Sequence, residues 1–193
     1  MGIKNSNVKN TIILLGGNSY EHKEWLTSLK QSLKKIFNDR DGEYEILSYS
    51  YKHWILGDDL IDFTYEYNQV KKMYSGNKSI IFIAKSVGTL LAFKLIYDEV
   101  INPQYCVFMG VPINWAYDYN FKVDSWSRNF NIPTLFLQNS QDPHYSSDML
   151  KQYLDIQNIS NFKYITFKNS THKYEAFDEI NKEIVSFKKE YNL

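Results

Sequence analysis

Short apolar runs alternate along this chain with stretches whose apolar residues recur every three or four positions. Residues 11–15, Thr-Ile-Ile-Leu-Leu, are closed by Gly16-Gly17 and predict a short buried strand. Trp25, Leu26, Leu29, Leu33, Ile36 and Phe37 then share one face of a long amphipathic helix. Residues 38–42, Asn-Asp-Arg-Asp-Gly, predict a loop, and residues 44–51 a second strand. A loop over 53–57 and a helix over 58–74 follow, the latter with Leu60, Ile61, Phe63, Tyr67 and Val70 as its apolar positions.

The third run, 79–84, is dense in isoleucine and phenylalanine, as expected of a strand buried on both faces. Behind it Leu90, Leu91, Phe93, Leu95 and Ile96 fall at helical spacing, predicting a helix to about residue 100. Strands are expected at 105–110, 133–138 and 162–167, with an aromatic connection over 111–130 and a helix over 147–157. Phe177, Ile180, Ile184, Val185 and Phe187 line a last helix before a polar tail at 188–193. Short strands alternating with helices predict an α/β fold, a mainly parallel sheet covered on both faces. No repeat or linker divides the chain, so one domain is expected over 1–193, with residues 1–10 flexible.

Formal net charge is +0 with acids and bases interleaved, which leaves no basic footprint for nucleic acid or an anionic membrane. Cys106 is the one cysteine, so no internal disulfide framework exists, and its apolar neighbours predict a small buried thiol. The N-terminus is polar, without the apolar core of a signal peptide, and no stretch is long enough to span a membrane. A cytoplasmic protein is therefore expected. Met1-Gly2 with Ser6 fits a loose myristoylation pattern that arises often by chance. Asn77, Asn158 and Asn169 open Asn-x-Ser/Thr triplets that carry no glycan without secretion.

The chemistry gathers where the third strand breaks into its helix, at Ala84-Lys85-Ser86-Val87-Gly88. A strand turning sharply into a helix strains its central residue, and small neighbours two positions either side let the elements approach. The turn lifts the Ser86 hydroxyl off the sheet edge and aims the following N–H groups at one point. The plainer alternative is a βα turn with a helix-capping serine. A serine hydroxyl needs a general base, and the base needs an orienting carboxylate. The strand 133–138 runs into Asn139-Ser-Gln-Asp142-Pro143, and the strand 162–167 into Lys168-Asn-Ser-Thr-His172. Ser86, Asp142 and His172 thus fall at the same edge of a parallel sheet, where such folds put their sites. Asp142 could instead be a turn residue and His172 a solvent-facing histidine. Asp118 and Asp148 are rival acids, and His22, His53 and His144 are the other histidines.

This small-x-Ser-x-small elbow, with acid and histidine following in that order, resembles the α/β-hydrolase family, Ala84 standing where glycine is more usual. The resemblance extends from Ile12 to about Phe187, without the first two strands or any cap insertion of larger members. It implies a three-layer sandwich with about six strands in the order 2-1-3-4-5-6. It also implies an oxyanion hole built from the backbone N–H of Val87 and of Asn18, in the loop Gly16-Gly17-Asn18-Ser19. A His-Gly pair commonly stands there in the family; this chain has Gly-Gly. Read without the resemblance, the same loop could cradle a phosphate at a helix N-terminus, although it lacks either glycine-rich nucleotide spacing. Trp115 and Tyr117 lie where members often carry a lid and are expected to wall a substrate pocket, with core or surface packing the alternative.

The expected protein is a serine hydrolase cleaving an ester or thioester of a small acid, Ser86 attacking, His172 carrying the proton and Asp142 orienting it. It needs no metal or other cofactor, and its partner is the small-molecule substrate. The alternative is a binding or scaffold module that keeps the fold without turnover.

Overall fold

The structure, a computed structural model, describes residues 10–37, 44–74 and 79–193. Residues 1–9 of the N-terminal segment with the Met1-Gly2 pattern, the 38–42 loop and Asn77 lie outside them. Six strands form one parallel sheet: β1 (Asn10–Leu15), β2 (Tyr44–Ser48), β3 (Ile80–Lys85), β4 (Tyr105–Met109), β5 (Thr134–Asn139) and β6 (Phe162–Phe167). Their order is β2-β1-β3-β4-β5-β6, as expected. Ile13 pairs with Phe82, Ile83 with Val107 and Phe108 with Phe136. Every residue of β3, β4 and β5 is buried, whereas the edge strands β2 and β6 are only partly so. Each large apolar side chain in those central strands contributes about 1.5–3 kcal/mol by leaving water.

The strand order reverses direction at β1 and β3, and right-handed crossovers therefore send the helices to opposite faces. Helix α1 (His22–Leu33) packs with the C-terminal helix α8 (Phe177–Glu190) on one face. On the other, α4 (Val87–Tyr97) meets α3 (Phe63–Tyr74) and α6 (Val123–Ser127). The reversal opens a crevice at the carboxyl ends of β1 and β3, where open α/β sheets bind ligands. Among the described residues no helix is long and apolar enough to cross a membrane.

Several boundaries depart from the sequence reading. The second strand stops at Ser48, and the expected loop over 53–57 contains a short helix, α2 (Lys52–Leu56). Glu66, fourteen positions away, caps that helix by accepting from the Lys52 amide at 2.6 Å, and Gly57 closes it at φ 77°. The helix expected from residue 58 begins at Phe63, because Asp62 accepts from the Tyr65 amide as its N-terminal cap and the Ile61 amide bonds to Asn18 instead. Leu60 is consequently exposed rather than inward. The first helix ends at Leu33, leaving Ile36 and Phe37 beyond it, and the elbow helix ends at Tyr97. The aromatic connection folds into α5 (Ile113–Asp118) and α6, while α7 (Ser147–Ile156) lies where a helix was expected.

Candidate active site

Ser86 joins β3 to α4 without an intervening residue, at φ 54° and ψ −129°. That conformation costs a non-glycine residue about 1–3 kcal/mol and persists only where the surroundings enforce it. The Ser86 amide is held by the Met109 carbonyl at 2.9 Å, and the Gly88 amide by the Gly16 carbonyl at 3.0 Å. Gly88 permits the close approach: a Cβ there would lie 2.7 Å from the carbonyl oxygens of both Leu15 and Gly16. The elbow is thus clamped between the ends of β1 and β4, which also brings the Gly16–Ser19 loop beside it.

Asp142 and His172 sit on loops laced together by the backbone. The Ser140 amide donates to the Phe167 carbonyl at 2.8 Å and the Gln141 amide to the Asn169 carbonyl at 3.0 Å. The Asn139 side-chain amide donates to the carbonyls of Thr171 and Lys173, gripping the chain on both sides of His172. His172 Nδ1 then lies 2.8 and 3.0 Å from the two Asp142 oxygens. Asp142 also accepts from the Tyr174 hydroxyl at 2.8 Å and the His144 amide at 3.0 Å, with its side chain wholly out of solvent. Burial alone would raise its carboxyl, but the bonds from His172, Tyr174 and His144 outweigh it and hold Asp142 below the ordinary range. For His172 burial prevails, joined by the nearby Lys85 and His144, and keeps the imidazole below its ordinary value despite Asp142. A carboxylate facing Nδ1 fixes the proton on that nitrogen and leaves Nε2 as the acceptor. Nε2 is buried and has no hydrogen-bond partner among the described residues.

Ser86, Val87, Asn18, His172, His144 and Trp115 together line a cleft of about 250 Å³. The structure therefore brings to one opening the five residues Ser86, His172, Val87, Asn18 and Trp115 that the sequence reading gave roles there, together with His22 and His144. Asp142 stands behind His172. Tyr117 is not in the lining; it is exposed and its hydroxyl donates to Asp124 at 2.9 Å. Asp118 and Asp148 are exposed, and neither bonds a histidine among the described residues. Asn18 is fixed at every polar atom of its side chain, donating to the Asp59 carbonyl and accepting from the Ile61 amide, both at 2.8 Å. Its own carbonyl accepts from His53 Nε2 at 2.6 Å and Trp54 Nε1 at 3.0 Å. The backbone N–H groups of Asn18 and Val87 have no protein acceptor among the described residues. Trp115 stacks with Tyr119 and Phe121, and Phe121 and Trp126 pack on Phe63, tying the aromatic segment to α3.

Four further residues shape the site without having been singled out for it. Asn139 and Tyr174 hold the loops, and no local signal marks either. His22 and Lys85 pair beside His172, and for Lys85 a signal existed: a lysine ending a doubly buried strand cannot reach water and must find a partner. Among the described residues no group of three or more His, Cys, Asp or Glu side chains could jointly hold a metal ion.

No protein-family model matches the chain, and no curated protein sequence does. Solved structures do. An uncharacterized protein from Bacillus cereus superposes with a TM-score of 0.68 at 20% identity, over 97% of this chain and 62% of that one. The chain thus spans less than two thirds of that protein. The esterase Pf2001 of Pyrococcus furiosus gives 0.65 at 16% identity, over 97% of this chain and 84% of that one. Est1E of Butyrivibrio proteoclasticus, in a structure with ferulic acid bound, gives 0.66 at 14% identity, over 97% and 91%. At such identities the likeness is one of fold, and it is consistent with an α/β-hydrolase-like fold.

Proposed function

We propose that this protein is a serine hydrolase that cleaves an ester or thioester of a small acid through an acyl-enzyme. The observation that carries the reading is the Asp142–His172 pair, whose histidine, its Nε2 unpartnered among the described residues, lines the same cleft as the strained Ser86. Hydrolase chemistry in general is supported by the esterases and hydrolases among the similar folds. In this mechanism Ser86 Oγ attacks the substrate carbonyl as its proton passes to His172 Nε2. Asp142 keeps Nδ1 protonated and stabilises the imidazolium that forms. The backbone N–H groups of Val87 and Asn18 hold the oxyanion, positioned in advance by the elbow and by the tethers on Asn18. His172 returns the proton to the leaving alcohol or thiol, and water, activated by the same nitrogen, releases the acid and restores Ser86.

Labelling with a fluorophosphonate tests this directly. Peptide mapping is expected to find one adduct, on Ser86, absent from Ser86→Ala. An adduct on another serine, or none on the folded protein, would overturn the proposal in favour of a module that binds without turnover.

A further inference from the structure

Lys85 immediately precedes Ser86, and although a lysine it is only 3% exposed. Burying an ammonium is costly unless a partner compensates it. Its ammonium lies against His22 Nε2 and 5.4 Å from the centroid of the Trp25 ring, and no carboxylate reaches ion-pair distance among the described residues. A lone acceptor on a neutral imidazole is a weak reason to keep a cation inside. The arrangement is a built one nonetheless: His22 is the first residue of α1, its ring lies under Gly17 so closely that a Cβ there would fall 2.3 Å from Cε1, and it lines the same cleft as Ser86.

A second cavity, of about 390 Å³, explains what the cation faces. Lys85, His22 and His172 all line it, and both His22 and His172 also line the Ser86 cleft. His172 is thus bonded at Nδ1 to the Asp142 carboxylate and shares the wall of the second cavity with the Lys85 ammonium. The remaining groups are Glu21 and His22 at the start of α1, His144 beside the acid, and Lys173, Tyr174 and Glu175 after the histidine. A carboxylate alone favours imidazolium, a form that cannot accept the serine proton. Resting on the hydrolase reading, we propose that Lys85, held by His22, is a positioning charge that adds to burial in offsetting Asp142 and so helps keep His172 in its proton-accepting form.

The shifts agree in direction with this geometry. Burial, then Lys85, then His172 bring His22 down to about 3, so it stays neutral and accepts from the ammonium. Burial lowers Lys85 to about 8, against the attraction of Asp142, Glu175 and Glu21, so it still carries its charge near neutral pH.

The test is the pH dependence of fluorophosphonate labelling and of short-ester hydrolysis in Lys85→Met, Lys85→Gln and Lys85→Arg, each first checked for folding by circular dichroism. The two neutral replacements are expected to raise the acid midpoint by about one pH unit, with the high-pH plateau kept within a few-fold, while Lys85→Arg stays near the parent. Folded neutral variants with an unmoved midpoint would overturn the proposal, because a merely structural lysine would change the plateau instead. Proton NMR of the histidine rings in the parent and Lys85→Met, with His172 assigned through His172→Gln, supplies a readout that needs no activity. The His172 signal is expected to titrate higher in Lys85→Met than in the parent, and an unchanged midpoint would equally overturn the proposal. A midpoint that moves with Lys85 in a protein that takes no label would sink the hydrolase reading and leave the electrostatic one standing.

Discussion

Asp142 meets His172 through both carboxylate oxygens, 3.0 and 2.8 Å from the one Nδ1, while Tyr174 and the His144 amide occupy its remaining lone pairs. The carboxylate thus has no freedom to turn away, and the imidazole it holds has one orientation. The pair is rigid because its loops are tied to each other rather than to solvent.

Asp142→Asn should therefore preserve the fold, since the amide oxygen still accepts from Tyr174, but allow the proton to move to His172 Nε2. Turnover is expected to fall by about 10⁴-fold with little change in melting temperature. A variant within tenfold of the parent would return Asp118 or Asp148 to consideration.

His22 makes stability depend on acid. Its unfolded form takes a proton near 6.5 and its folded form only near 3, so the unfolded chain binds more protons in between. Stability is accordingly full above 6.5 and declines as pH falls through that window. Thermal melts from pH 7 to 4 should show a shallower decline in His22→Gln than in the parent; parallel curves would contradict the assignment.

Two glycines should respond differently to alanine. At Gly88 the added methyl meets backbone oxygens of Leu15 and Gly16 at 2.7 Å, and those oxygens belong to the sheet end and cannot swing aside. Gly88→Ala should cost about 3 kcal/mol or more, or prevent folding. Gly57 has φ 77° and open space around it, so Gly57→Ala should cost only about 1–2 kcal/mol of backbone strain. Denaturant titration of both variants measures the difference, and equal costs would refute the steric reading.

The cleft of about 250 Å³ is small, and Trp115 forms part of its wall. p-Nitrophenyl acetate or butyrate should be turned over at least as well as the palmitate ester, and Trp115→Ala should shift the preference toward longer chains. The measurement is kcat/KM across acyl lengths below micelle-forming concentrations. A steady gain beyond about eight carbons, near 0.8 kcal/mol per methylene, would reveal a deep apolar channel and refute the small-substrate reading.

Much of this was legible in the chain. The short apolar runs that became β3, β4 and β5 are buried on both faces, and such strands announce themselves without help from their neighbours. The loops carrying Asp142 and His172 followed from where β5 and β6 end. The stretch 49–62 was not legible, because its structure is decided at a distance: Glu66 caps α2 and Asn18 takes the Ile61 amide. Nor does any periodicity show that Asn139 grips Thr171 and Lys173, or that a histidine at the start of the first helix ends beside the last loop.

The Trp25 indole donates to the Tyr174 carbonyl at 2.7 Å, and the Asn181 amide reaches the Ser32 carbonyl at 3.1 Å, each across 149 positions of sequence. Closing so long a loop costs about 4 kcal/mol in chain entropy, so these contacts form late. Ser86 and the Asn18 loop are synthesised before His172. A growing chain can complete the elbow well before it owns a base, and the base is seated only when its flanking carbonyl docks on a helix made long before. Under the proposed mechanism, the order of synthesis leaves the serine without its base until the two halves of the sheet have been joined.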